Sequence, residues 1–297
     1  MKKTFLFLIA ALSFLLSGQA AEKAKHVVLI GLDGWGAYSV SKAEIPNIRK
    51  MMNEGCYTLK KRSALPSSSA INWASMFMGA GPELHGYTQW GSKVPELPSR
   101  EMTENGIFPT IFYLLHKARP EAEIGCLYEW EGIKYLVDTL ALDYHAQAPD
   151  YNKHPEALCG MAEKYIKEKT PVLLAVCFDN PDHVGHAAGH DTPEYYAKLN
   201  ELDTYVARIV QAVKDAGMFD ETIFIITADH GGINKGHGGK TMQEMETPFI
   251  ICGKNVKKGG EFSESMMQYD VASTIAYIFG LKQPQVWIGR PMKQVFK

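Results

Sequence analysis

Chemistry-bearing residues in this 297-residue chain gather at three places, each directly after an apolar run. Val27-Val28-Leu29-Ile30-Gly31-Leu32 ends in Asp33-Gly34, and the run that closes at Phe178 is followed by Asp179-Asn180-Pro181-Asp182-His183-Val184-Gly185-His186. Ile225-Ile226-Thr227-Ala228 leads into Asp229-His230-Gly231-Gly232, then Lys235-Gly236-His237-Gly238-Gly239. Carboxylates and imidazoles are oxygen and nitrogen donors for borderline cations such as zinc. Any single histidine reads best as a packed or solvated side chain, but five of the ten (His183, His186, His190, His230, His237) fall between positions 183 and 237. Asp33, Asp182, Asp229, His186, His230 and His237 make six mixed donors, enough for two zinc-like ions.

A hydroxyl stands ready in Pro66-Ser67-Ser68-Ser69-Ala70-Ile71-Asn72-Trp73, at the head of an apolar stretch with helical spacing. A helix N-terminus favours a phosphoryl oxygen because its free N–H groups and dipole attract negative charge. Alone, the serine triplet reads as a helix cap; beside cations it offers a nucleophile. Asn72 lies one helical turn past Ser69, so its amide can either face a non-bridging phosphoryl oxygen or bond to the neighbouring loop. Trp73, Tyr87, Trp90, Tyr128 and Trp130 are candidates for stacking on a nucleobase or aryl group, and equally for core or surface packing. Lys235 and Lys240 flank His237 in a glycine-rich stretch where solvation is the ordinary reading.

The elements that must position these groups alternate. Apolar runs at 26–32, 123–127, 171–178, 222–227 and 248–252 predict strands, separated by helical segments, which argues for a mostly parallel sheet. The clearest helix follows Thr192-Pro193 and carries Tyr195, Leu199, Leu202, Val206, Ile209 and Val213 before Gly217. Others begin near Pro46, at Ser69 or Ala70 as far as Met78, and at Asp270 as far as Phe279. Sheets of this kind bind ligands at the carboxyl ends of their strands, where the acidic and imidazole groups lie. The loop-rich stretch 79–106 is expected to face substrate.

Composition bounds the function. At 46% hydrophobic and 22% charged residues the chain can bury a core and is neither a disulfide-stapled miniprotein nor a disordered tail. Lys2-Lys3, the twelve-residue run 5–16 and Ser17-Gly18-Gln19-Ala20 read as a signal peptide cleaved after Ala20, too short to span a bilayer. Residues 21–297 are then one catalytic domain with no transmembrane anchor, periplasmic or secreted. The formal charge of −2, or −4 without Lys2 and Lys3, lacks the basic excess of a nucleic-acid binder. Cys56, Cys126, Cys159, Cys177 and Cys252 are widely spaced, so a disulfide is open but no framework is implied.

Together these segments resemble the alkaline phosphatase superfamily and, within it, the type I phosphodiesterase/nucleotide pyrophosphatase family, from about His26 to Gly289-Arg290-Pro291. Asn72 followed by Met78-Gly79-Ala80-Gly81-Pro82-Glu83-Leu84-His85-Gly86 matches that family's nucleophile segment and selects Ser69 over Ser67 and Ser68. Asp182-His183-Val184-Gly185-His186 and Asp229-His230-Gly231 match its two metal motifs. The resemblance implies a three-layer α/β/α sandwich with a minimal cap. It also implies one zinc on Asp182, His186 and His237, a second on Asp33, Ser69, Asp229 and His230, and Asn72 as a stabiliser of the phosphoryl oxygen. Only six residues separate His230 from His237, which leaves no room there for the capping insert of larger members.

The expected activity is hydrolysis of a small-molecule phosphodiester or nucleotide pyrophosphate through a phosphoserine, with two Zn2+ preferred over Mn2+. The alternatives are a phosphomonoesterase or phosphonate hydrolase of the same superfamily, and a secreted zinc-binding protein without turnover. No arginine sits in the motifs, Arg62 preceding Ser69 by seven residues, which favours the diester with its one fewer charge.

Overall fold

The computed structural model describes residues 23–151 and 153–297; the expected leader, residues 1–20, lies outside them. One sheet is built from β1 (His26–Leu32), β2 (Cys56–Arg62), β3 (Ile124–Tyr128), β4 (Tyr144–Gln147), β5 (Leu173–Phe178), β6 (Thr222–Thr227), β7 (Glu246–Gly253) and β8 (Gly260–Glu261). Their order is β4-β3-β5-β1-β6-β7-β2-β8. β7 pairs antiparallel with both β6 and β2, and the other neighbours pair parallel.

The helices are α1 (Pro46–Glu54), α2 (Ser69–Met78), α3 (Pro82–His85), α4 (Ile111–Ala118), α5 (Ala157–Lys169), α6 (Asp182–Ala188), α7 (Pro193–Asp215), α8 (Met242–Met245) and α9 (Asp270–Ile278). β1, β5 and β6 read as unbroken apolar runs because both sheet faces are covered. Val27 and Leu29 of β1 join α2, α4 and α9 in one cluster with Trp73, Phe112 and Ile275. Val28, Ile30 and Leu32 join α1, α5 and α7 in the other, with Ile48, Ile166 and Val206. This is the expected α/β/α sandwich. α7 starts as its sequence predicts, the Thr192 hydroxyl accepting from the Tyr195 N–H and Pro193 occupying the first turn.

The five expected strands are β1, β3, β5, β6 and β7, while β2, β4 and β8 escape the sequence reading. β2 spells CYTLKKR, yet Lys61 is wholly buried, its ammonium donating to the Ala228 carbonyl at 2.7 Å and to Gln268 Oε1. All five cysteines are buried and free, so no disulfide forms.

Candidate active site

β1 lies between β5 and β6 and pairs parallel with both, so the carboxyl ends of the three strands lie side by side at one edge of the sheet, where ligands bind in open sheets of this kind. Asp33 follows β1, Asp182 opens α6 just past β5, and Asp229 follows β6. Backbone bonds tie the ends together: Asp33 N–H to the Phe178 carbonyl at 3.0 Å, and Asp182 N–H to the Asp33 carbonyl at 2.9 Å. Gly34 N–H donates to Asp229 Oδ1 at 3.1 Å. α6 sets Asp182 and His186 one turn apart on one helix face, with His186 Nε2 3.0 Å from Asp182 Oδ2.

Three imidazoles share one arrangement. Nδ1 of His186 faces the Lys235 carbonyl at 2.9 Å, that of His230 the Gly231 carbonyl at 2.8 Å, and that of His237 the Ser67 carbonyl at 3.1 Å. A carbonyl only accepts, so Nδ1 carries the proton and Nε2 turns inward as a potential ligand atom. His237 Nε2 stands 3.1 Å from His186 Nε2, and 3.7 Å from Asp182 Oδ2. His230 Nε2 faces Asp229 Oδ2 at 3.2 Å and Asp33 Oδ1 at 3.4 Å, two buried oxygens with no hydrogen-bond donor. Lone pairs converging this closely need positive charge between them. The donor atoms fall into two overlapping groups of cation-binding span, Asp182/His186/His237 and Asp33/Asp182/His230, which share Asp182. The residues therefore fit two divalent cations.

The electrostatics agree. Burial, then the carboxylates of Asp229, Asp182 and Asp179, push Asp33 well above the ordinary carboxylate range. Burial is also the main cause that lifts Asp229 to about 7. Burial works in the same direction on Asp182, but hydrogen bonds to His186 and His190 outweigh it and hold this carboxyl low. His186 is raised to about 9, chiefly by its bond to Asp182, so a proton and a cation compete for one place. Burial lowers His230 and takes His237 to about 4, which keeps both neutral as ligands must be.

Ser69 is the first residue of α2, and its Oγ lies 3.1 Å from His230 Nε2. The triplet separates by contact: Ser67 Oγ donates to the Gly239 carbonyl at 2.7 Å, and Ser68 Oγ lies 3.3 Å from His237 Nδ1. The buried Asn72 amide accepts from Ala64 N–H at 2.7 Å and donates to the carbonyls of Ala64, Pro66 and Ser68 at 3.1 to 3.2 Å, so it closes the 64–68 loop, the second of the two roles its position allows.

Of the aromatic candidates, Trp73, Tyr87 and Tyr128 are buried and Trp130 packs partly buried against the core, whereas Trp90 is 66% exposed. The Trp90 carbonyl accepts from Ala70 N–H at 3.1 Å, which sets the 79–106 loop beside Ser69. The Trp73 ring donates from Nε1 to Asp33 Oδ2 at 3.0 Å. His190, counted in the cluster but given no role, is fully buried with Nε2 3.1 Å from Asp182 Oδ1; its sequence signal was position alone.

Comparison with known proteins now bears on this geometry. The family described as "Type I phosphodiesterase / nucleotide pyrophosphatase" matches residues 27–237. Among curated relatives, GPI ethanolamine phosphate transferase 3 of Schizosaccharomyces pombe is 28% identical over 54% of this chain and 18% of its own length. Mouse bis(5'-adenosyl)-triphosphatase enpp4 is 23% identical over 70% of this chain and 47% of its own. The match thus spans less than half the length of either relative. Murine ectonucleotide pyrophosphatase/phosphodiesterase 5, solved as an inactive variant in complex with AMP, superposes with a TM-score of 0.74 at 13% identity, covering 92% of this chain and all of that one. A 2-O GAG sulfatase gives a TM-score of 0.72 at 15% identity over 92% of this chain and 74% of its own. The structural likenesses establish the alkaline-phosphatase-like fold, and with the sequence match across most of the sheet and every motif up to His237, the chain belongs to the type I phosphodiesterase/nucleotide pyrophosphatase family.

Proposed function

We propose that this chain hydrolyses phosphate esters, with phosphodiesters and nucleotide pyrophosphates as substrates, through a covalent phosphoserine on Ser69. The observation that carries the reading is the Ser69 hydroxyl at the α2 N-terminus, 3.1 Å from His230 Nε2, beside two converging donor groups. A zinc-binding protein without turnover needs no hydroxyl there. Asp182, His186 and His237 would hold one ion, and Asp33, Asp229, His230 and Ser69 the other; zinc suits a set so rich in imidazole better than manganese does. When bound, such cations supply Lewis-acid charge that lowers the serine pKa and neutralises phosphoryl oxygens.

Ser69 Oγ, its proton lost to solvent, attacks phosphorus in line; the P–Oγ bond forms, the bond to the leaving alcohol breaks, and the alcohol takes a proton from water. Water then attacks the phosphoserine from the vacated side, the P–Oγ bond breaks, and Ser69 regains its proton. The α2 dipole favours negative charge on Oγ throughout. Asn72 keeps the 64–68 loop closed, which fixes the entry into α2 and hence the hydroxyl. Arg62 is turned to Glu246, with N···O 3.6 Å, so it is not held for the extra charge of a monoester.

The Lys2-Lys3 pair and the apolar stretch after it support export to the periplasm or beyond, with residues 21–297 as one catalytic domain. Among the described residues no helix is long and apolar enough to cross a membrane.

The test compares a bis-aryl phosphate, an aryl monophosphate and an aryl sulfate with zinc-loaded protein and its Ser69→Ala variant. Diester preference and a loss of at least about a thousandfold in the variant are expected. A variant as active as the parent overturns the nucleophile, and monoester or sulfate preference overturns the substrate class.

A further inference from the structure

The fully buried His190 cannot touch a substrate, yet it bridges two segments that carry donors to the same ion. Its Nε2 faces Asp182 Oδ1 at 3.1 Å. On the other side its Nδ1 faces the Asn234 carbonyl at 3.2 Å, and its own backbone N–H donates to the same oxygen at 2.6 Å. Asn234 lies in the 231–240 stretch that delivers His237. One residue therefore fastens the Asp182/His186 helix to the His237 loop.

The space for this ring is built by both motifs. A Cβ on Gly185 would fall 2.4 Å from the ring, and one on Gly232 2.2 Å from Nε2, so each glycine lets the imidazole lie flat against backbone. Tyr195 closes the pocket with its ring centroid 5.5 Å away, and its hydroxyl donates to the Gly34 carbonyl at 2.7 Å. Asp182 is thus gripped at Oδ1, leaving Oδ2 to face His186 and His237. A carboxylate free to rotate would offer either oxygen and bind less well; partners of this kind typically govern 10- to 100-fold in metal affinity.

Resting on the functional reading above, we propose that His190 is a positioning residue for the Asp182/His186/His237 ion. It fixes the carboxylate's orientation and the spacing of the helix and loop before the ion arrives. Asp182 belongs to both donor groups, but Asp33 and His230 of the second are placed by β1 and β6, so that group depends on His190 to a smaller degree.

The test uses the full chain stripped of metal, titrated with Zn2+ against a chromophoric chelator, and separately loaded with Co2+ for its visible spectrum. His190→Phe keeps a ring and removes the donor, and His190→Gln keeps a donor and removes the ring. Expected for His190→Phe is a loss of roughly 10- to 100-fold at one of two equivalents, a shift in that equivalent's cobalt bands, and substantial recovery in His190→Gln. Should His190→Phe not fold, Gly232→Ala, which pushes the ring without deleting it, is expected to weaken the same equivalent. Wild-type affinity at both equivalents in these variants, or equal weakening of both alongside a lower apo melting temperature, overturns the proposal and leaves the functional reading intact. Absence of zinc uptake by the unmodified protein overturns the functional reading itself.

Discussion

Acid should unlock the motif histidine His85 before it harms the sheet. His85 is fully buried at the end of α3, between the rings of Tyr87 and Phe108. Its Nδ1 accepts the Tyr87 N–H at 3.2 Å, so the ring proton sits on Nε2, 3.0 Å from Ser75 Oγ in α2. A second ring proton would meet that N–H head on, and burial lowers the pKa to about 3 from an ordinary 6.5. Between pH 6.5 and 3 the unfolded chain therefore binds a proton that the folded chain does not. Stability is complete above pH 6.5 and falls as pH drops through that window. A gap of about 3.5 units at ~1.4 kcal/mol each gives ~5 kcal/mol by pH 3, and roughly 2–3 kcal/mol by pH 4.5. That is a large part of the ~5–15 kcal/mol available to a domain.

The assay is urea unfolding followed by tryptophan fluorescence at pH 6.5 and 4.5, for the parent and for His85→Gln. Glutamine can accept from Tyr87 and donate to Ser75 without titrating, while other acid-sensitive groups are common to both proteins. The parent's advantage over the variant should shrink by roughly 2–3 kcal/mol between the two pH values. An advantage that stays constant refutes the argument. The effect should extend to the site, since His85 also receives the Ser99 hydroxyl on its carbonyl at 2.8 Å and so joins α2 to the loop that carries Trp90.

Three further outcomes are expected. Saturating Zn2+ should raise the melting temperature by roughly 10 °C, because ion at a thousand times Kd contributes ~4 kcal/mol, and chelation should reverse it; an unmoved midpoint in differential scanning fluorimetry counts against the two-ion centre. Trp73→Phe keeps the ring but deletes the 3.0 Å bond to Asp33, so zinc affinity should weaken by roughly tenfold in chelator competition, and unchanged affinity would contradict that role. Trp90→Ala removes an exposed ring, so stability should hold within about 0.5 kcal/mol while KM for an aryl diester rises severalfold; equal kinetics would remove Trp90 from the substrate path.

The central sheet was legible because parallel strands buried on both faces must be continuously apolar, and the donors follow those runs without interrupting them. β2 was hidden by Lys60, Lys61 and Arg62; only Lys61 is buried, and its partners Ala228 and Gln268 lie far along the chain. β4 at the sheet edge is largely exposed and carries no apolar signature. Six cation donors could be named from type and clustering, but what holds them could not. His190 acts through a residue eight positions earlier and a carbonyl 44 positions later, and Asn72 is committed to a loop whose shape the sequence does not spell.

One residue explains why Ser69, the proposed nucleophile, keeps register with Asp33 although the one comes from a helix and the other from a strand end. Trp73 stands one turn past Ser69 in α2, and its ring lies so close to β1 that a Cβ on Gly31 would fall 2.2 Å from it. From that contact its Nε1 reaches Asp33, two residues further along the same stretch. A displacement of α2 along β1 would break this bond and could force the ring against Leu29, the neighbouring side chain on the same face of β1, so the helix cannot slide without disturbing Asp33. Ser69 therefore moves with the carboxylate that shares its proposed ion. The 79–106 loop, expected from the sequence to face substrate, reaches the same α2 N-terminus through the Trp90 carbonyl.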